Sequence, residues 1–189
     1  MTRTEPDLWA SSLQGDGDAF GELYDQHRDR VFRHLLRFGE SHADAEDATA
    51  VVFLELWRRR GSVHVVDDSV LPWLIVTATN VGRNAARSRR RYRGVLLRIP
   101  AQEAAADASE DALRRLPLAD TDRALARALD ELPRVDAQIL ALTALEGYSL
   151  AEAASVLGLT AGAARARLFR ARKRLRATLD APVEEGLLS

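Results

Sequence analysis

Between residues 99 and 120 the helical periodicity that governs the rest of the chain stops, and this break constrains the fold more than any other feature. The segment is rich in Ala, Asp and Glu and carries Pro100 and Pro117. Such a composition buries too little apolar surface to order itself and reads as a connector. It divides 189 residues into two stretches, each sufficient for a small domain. The chain is 47% apolar, much of it Ala and Leu, which favour helix. β-branched residues bunch only at Val63–Val66 and Ile75–Thr79. The expectation is an all-α protein: two small helical domains, 10–95 and 121–180, joined by a flexible acidic linker at 96–120.

Apolar positions at Phe20, Leu23, Tyr24, Val31, Phe32, Leu35 and Leu36 predict a helix over 18–40, ended by a turn at Gly39–Ser41. A second helix is predicted over Ala43–Arg60, with acids in its first turn and Arg58, Arg59 and Arg60 in its last, as the helix dipole favours. Gly61 stops it, and 62–71 is expected to be a loop. Pro72 opens a third helix reaching about Arg91. Beyond the break, helical pattern returns at Asp122–Leu132 and Arg134–Glu146, closed by Gly147. Ser149 and Glu152 form a capping box before a short helix, Gly158-Leu-Thr160 breaks it, and a last helix runs from about Ala161 to Leu179.

Charge is distributed as unevenly as periodicity. Arg83, Arg87, Arg89, Arg90, Arg91, Arg93 and Arg98 form one basic cluster, and Arg165, Arg167, Arg170, Arg172, Lys173, Arg174 and Arg176 form another. Together they hold 14 of the 27 basic residues, yet the whole chain has a formal charge of −1. Two acid-free basic strips on an otherwise acidic chain point to two contacts with a polyanion, nucleic acid first, because each neutralised phosphate releases counterions. There are no cysteines, which excludes disulfides, thiolate metal sites and cysteine nucleophiles. The acidic start, Met1–Trp9, lacks a signal-peptide core, and no apolar run approaches the roughly 20 residues of a membrane helix. A soluble, cytoplasmic protein without membrane insertion is expected.

The end of the chain reads as a helix-turn-helix: a short helix, a glycine-containing turn and a second helix with a basic outer face. Ala153, Ala154 and Leu157 are placed to pack against Ala164, Leu168 and Leu175, which leaves Arg165, Phe169, Arg170 and Arg172 outside. In such motifs the start of the second helix faces base edges in the major groove. Thr160 is its candidate N-cap, beside backbone N–H groups that suit a phosphate. A solvated amphipathic helix is the bland alternative, but six basic residues from Arg165 to Arg174 without one acid exceed what solubility requires.

Two segments of the first half narrow the class. On the helix at 44–57, Asp47, Val51, Leu54 and Glu55 recur at i, i+4, i+7 and i+8, a half-acidic, half-apolar stripe suited to another protein's helices. In 72–91, a polar Asn80 and small residues lie beside a basic strip. The sequences that carry a resemblance are Asp18-Ala-Phe-Gly-Glu-Leu-Tyr24, Asp44-Ala-Glu-Asp47 with Val52-Phe-Leu-Glu-Leu-Trp57, Trp73-Leu with Asn80, and Gly162-Ala-Ala-Arg-Ala-Arg-Leu-Phe-Arg-Ala-Arg172. Each is weak alone; in this order, with a linker between, they closely resemble the extracytoplasmic-function (ECF, group 4) sigma factors of the sigma-70 family. The likeness covers about 16–93 (region 2) and 121–178 (region 4).

The resemblance implies a dissociable, non-catalytic specificity subunit of bacterial core RNA polymerase that binds promoter DNA and an anti-sigma factor, without a cofactor or metal. Asp44, Glu46, Asp47, Val51, Leu54 and Glu55 would dock on the clamp helices of the largest polymerase subunit, and region 4 would meet the flap of the second-largest. His64, Asn80 and Asn84 would melt and read the −10 element on the non-template strand, with Arg83, Arg87, Arg90 and Arg91 on phosphates. Arg165, Ala166, Phe169 and Arg170 would read the −35 duplex, with Thr160, Arg167 and Lys173 on its backbone. The chain departs from the family pattern at Ala50-Val51, where Gln-Glu is common, and at Ala164 and Ala166, where Val and Ser are common.

Roughly 25 linker residues reach about 80 Å when extended but average only ~25–30 Å as a flexible chain, against ~70 Å between the two promoter elements. The linker therefore permits the spacing without fixing it. Two rival readings are a stand-alone helix-turn-helix regulator, for which no heptad dimerisation seam is visible, and an enzyme acting on nucleic acid. The second needs a metal site or an acid–base pair, and His27, His34, His42 and His64 have no ligand spacing.

Overall fold

The protein's structure is a computed structural model that describes residues 3–38, 40–96 and 120–179, with only the backbone described at 93–96 and 120–125. Residues 97–119 of the expected linker, and Arg98 with them, lie outside the described residues. Among the described residues the elements are helices, with a single isolated bridge between Val66 and Ser69.

The first helix, α1 (Glu5–Leu13), was not expected. The acidic start that reads as a polar tail is a helix-starting sequence: the backbone N–H of Thr4 donates to Asp7 Oδ2 at 3.2 Å, with a proline in the first turn. Burial of Leu8 and Trp9 holds α1 to the body, so the first module begins near residue 5 rather than 10. Asp16 starts α2 (Gly17–Leu36) by accepting from the backbone N–H groups of Asp18 and Ala19. Ser41 caps α3 (His42–Arg59), whose inner stripe is Ala45, Ala48, Thr49, Val52, Phe53 and Leu56. A 3-10 turn, Arg60–Ser62, closes α3 where Gly61 was expected to stop it.

The loop 63–70 is tied back to α1. Glu5 accepts from the Ser69 hydroxyl at 2.9 Å and from the Val70 backbone N–H at 2.8 Å, while Asp67 and Asp68 adopt φ of 50° and 58°. Next comes α4 (Leu71–Leu96), which starts one residue before Pro72 and outruns the expected end at Arg91. It lies so close to α2 that a Cβ on Gly82 would sit 2.9 Å from Phe38 Cγ. Helices α1 to α4 thus pack around Leu23, Leu35, Phe38, Leu56, Leu74 and Ile75.

The second module contains α5 (Asp120–Glu131), α6 (Arg134–Leu140), α7 (Leu150–Val156) and α8 (Ala161–Leu179). One continuous helix was expected over Arg134–Glu146; instead its last part is a π turn, Ala141–Leu145, before Gly147 at φ 81°. The capping box at Ser149 and Glu152 forms as the sequence predicts, and Gly158 supplies the positive φ of 62° in the turn before α8. Ala153, Ala154, Ala164 and Leu168 are buried between α7 and α8, with Leu157 and Leu175 half-buried at the edge, the packing read from spacing. The two modules also touch: α4 packs on α5, α6, the π turn and α7. Among the described residues no helix is long and apolar enough to cross a membrane.

Candidate nucleic-acid and polymerase interfaces

The outward face of α8 follows from which of its residues the core takes. Ala164, Leu168 and Ala171 point inward, so Arg165, Ala166, Phe169, Arg170 and Lys173 are left exposed, with Phe169 70% exposed. Phe169 is the most exposed large hydrophobic side chain among the described residues. Thr160 starts the helix as expected, its hydroxyl oxygen accepting from Ala163 N–H at 3.3 Å. Arg167 differs from its neighbours. Its guanidinium is half-buried and donates to Asp136 Oδ1 at 3.0 Å, tying α8 to α6.

On α3 the expected docking stripe is open. Asp44, Glu46 and Asp47 are exposed, and Val51 and Leu54 are 47% and 45% exposed. Glu55 is half-buried and pairs with Arg59 Nε at 2.8 Å. Leu54 borders a shallow apolar hollow with Phe20, Tyr24, Ala50, Phe53 and Trp57. Trp57 is fixed there by the Phe20 ring at 5.0 Å and by the Arg60 guanidinium 4.2 Å above its face.

The α4 cluster is arranged differently. Asn84 and Arg91 are exposed and share a groove with Arg87 and Arg90. Arg87 and Arg90, however, both pair with Asp130 of α5. Asn80 Oδ1 accepts from Arg134 Nε at 3.1 Å and Gln138 Nε2 at 2.8 Å. His64 meets the Ser155 hydroxyl at 3.1 Å. For Arg83 the expectation of a phosphate contact is not met in this arrangement: it is 2% exposed and donates to the Leu129 and Leu132 carbonyls. Burial, and beside it the charges of Arg87, Arg134 and Arg90, lowers its pKa to about 10.

One cluster was missed by the sequence reading. The Glu146 carboxylate, 4% exposed, accepts from Arg30 Nε at 2.8 Å and Arg37 Nη1 at 2.8 Å and faces His34 Nδ1 at 2.9 Å. Burial alone raises a carboxyl pKa, but hydrogen bonds from His34 and Arg30 outweigh it and hold Glu146 at about 2. Burial lowers the pKa of His34, so the ring is neutral and must spend its single proton on Nδ1 toward the acceptor-only carboxylate. Its Nε2 lies 3.0 Å from Thr79 Oγ1, which shares its one hydroxyl proton between this nitrogen and the Ile75 carbonyl at 2.8 Å. Glu146 gives no local signal, because Arg30 and Arg37 precede it by 116 and 109 residues.

Comparison with known proteins decides the family. A sigma-70 region 2 model matches residues 23–92 and a sigma-70 region 4 model matches residues 122–175. The chain belongs to the sigma-70 family. Among curated relatives of this sigma factor, RNA polymerase sigma factor CarQ of Myxococcus xanthus is 34% identical over 169 residues, spanning 87% of this chain and 91% of the relative. ECF RNA polymerase sigma factor BldN of Streptomyces coelicolor is 31% identical, spanning 83% of this chain and 59% of the relative. The relatives place this sigma factor in the ECF subfamily. Among solved structures, CnrH in complex with the cytosolic domain of CnrY superposes with a TM-score of 0.61 at 27% identity, covering 94% of this chain and 98% of CnrH.

Proposed function

We propose that this ECF sigma factor binds core RNA polymerase in the cytoplasm through the α3 stripe and directs promoter-specific initiation. Residues 10–95, extended to α1, act as region 2, and 121–180 act as region 4. The outward face of α8 carries the reading: Phe169 stands exposed between Arg165 and Arg170 on a helix whose opposite side is core. Arg165 and Arg170 read guanine edges in the −35 major groove, where a bidentate pair contributes roughly 1–3 kcal/mol of discrimination. Phe169 and Ala166 meet thymine methyls, and Thr160 and Lys173 contact phosphates. Arg167, paired with Asp136, fixes the angle of the reading helix and reaches the backbone only by leaving that pair.

On the other module Asn80, Asn84 and His64 capture the displaced −10 strand. Extruding a base costs a few kcal/mol, offset by edge contacts and stacking. Arg87, Arg90 and Arg91 hold its phosphates. The solved complex of CnrH with a CnrY cytosolic domain supports an anti-sigma partner for this chain as well.

The test is run-off transcription with purified bacterial core polymerase on a promoter library. Added protein should redirect initiation to a subset of promoters. Tight operator binding by the free protein, with no redirection of polymerase, would instead establish a stand-alone regulator.

A further inference from the structure

The face of α4 assigned to the −10 strand is covered in part by the chain's own second module, from Asn80 to Arg90. We infer that residues 126–156 form an intramolecular lid that competes with single-stranded DNA for α4 and leaves the polymerase face and the α8 reading face open. The inference rests on the proposed function for the identity of the competitor, but closure itself does not.

Five of the groups that would meet the strand already have a protein partner on the lid, while Asn84 and Arg91 stay exposed at the open end of the groove. Asn80 Oδ1 accepts both the Arg134 and the Gln138 donors, which fills its acceptor capacity. Asp130 stands against Arg87 and Arg90, where a carboxylate takes the place of a phosphate. Arg83 is plugged into the carbonyls at the end of α5. Ser155 meets His64. By contrast Val51, Leu54, Arg165, Phe169 and Arg170 remain exposed in the same arrangement. The masking is selective, so polymerase can be engaged before the strand is captured.

The closed form has one strong latch and several poor contacts. Glu146 is the latch, with Arg30, Arg37 and His34 of α2 converging on it and Arg30 also donating to its backbone carbonyl at 2.9 Å. The contacts on α4 are weaker by design of their chemistry. Asp130, 3% exposed in its side chain, is held by ion pairs from Arg87 and Arg90, which themselves stay largely exposed. Arg83 is buried against neutral carbonyls beside three other arginines. A buried ion with incomplete partners costs free energy that a polyanion relieves. The lid is therefore held at Glu146 and strained at the DNA-binding face, which is the arrangement of a switch that binding can open.

The absence of cysteine allows labels to be placed at will. Spin labels on one exposed site of α3 and one of α8 report closure in the full chain, and fluorescence anisotropy with a random-sequence single-stranded DNA pool reports masking. Wild type should give a short, narrow distance and weak binding. Glu146→Ala with Asp130→Asn should lengthen and broaden the distance and tighten binding roughly tenfold or more, since apparent affinity scales with the open fraction. Unchanged distances in the double variant would overturn the latch, and changed distances with unchanged affinity would overturn the masking.

Should the double variant unfold, Arg30→Cys with Tyr148→Cys, joined by a short cleavable bis-maleimide across their cation–π contact, locks the closed form in a chain that keeps Glu146. Locked protein should lose strand binding and recover it on cleavage; equal binding in both states would refute the lid. Failure of the sigma reading would show separately, as wild type that closes normally but never redirects polymerase.

Discussion

The two basic clusters look alike in sequence and are spent differently in the fold. On α8, Ala164, Leu168 and Ala171 meet the core and the arginines between them are pushed to solvent, except Arg167, which pairs with Asp136. On α4 the same residue type is tied to other parts of the chain: Arg83 is buried, Arg89 pairs with buried Glu40, and Arg87 and Arg90, though exposed, pair with Asp130. Charge density alone does not separate a reading surface from a covered one. What separates them is whether the acids of the chain can reach the cluster, and α5 carries Asp130 to α4 while the described elements bring only Asp136 to α8.

The largest perturbation of this contrast is in the support under the α4 cluster. Phe38 is 2% exposed, seals the α2–α4 contact and lies against Gly82. Phe38→Ala should cost about 3–5 kcal/mol of unfolding free energy, measured by denaturant titration. A loss under about 1 kcal/mol would mean that the site collapses freely and that α4 is not held to α2 there.

A smaller and more selective effect should come from the α8 cluster. Arg165→Ala should reduce initiation by roughly 5–150-fold on promoters with a matching −35 base and much less on mismatched ones, the range expected for one bidentate contact. Stability should be nearly unchanged, because Arg165 is exposed. Equal loss on every −35 variant would reassign Arg165 to a phosphate, and the comparison between a reading cluster and a covered one would lose its sharper half.

Much of this organisation was legible before any coordinate. Periodicity located α2, α3, α7 and α8 to within a few residues, because each carries its own cap or stop, such as Ser149 with Glu152 or Gly158. The inward set Ala153, Ala154, Ala164 and Leu168 followed from spacing. Helix α1 was legible in principle, since Thr4 and Asp7 flank a proline in the pattern of a helix start. The contact between modules was not. Asn80 meets Arg134 and Gln138, residues 54 and 58 positions later, and sequence spacing says nothing about acids and amides that meet across a connector. The burial of Arg83 was not legible for the same reason: a basic residue in a basic run reads as solvent-facing until a neighbour's helix end is found on top of it.

The smallest expected effect, and the one that probes the covered side most gently, is that of mild acid. His34 sits between Glu146, Thr79, Arg30 and Arg37, and burial lowers its pKa, so below its ordinary value the unfolded chain holds a proton that the folded chain does not. Stability must then decline as pH falls below about 6.5, by at most about 1.4 kcal/mol per pH unit for one such group. Glu146, held at about 2, contributes its full share above its ordinary pKa of 4.5 and loses it only as pH falls through 4.5 toward 2. Glu40 runs the other way, since burial raises its pKa and favours the folded form in acid. From pH 7.5 to 6 the His34 contribution should therefore act almost alone and lower the thermal midpoint by no more than a few degrees. His34→Gln, which can still meet both Glu146 and Thr79 with an uncharged amide, should flatten that segment and leave the steeper decline below pH 4.5 in place. A wild-type midpoint that rises as pH falls from 7.5 to 6 would show that His34 is protonated in the folded chain, with Glu146 acting as its counter-ion.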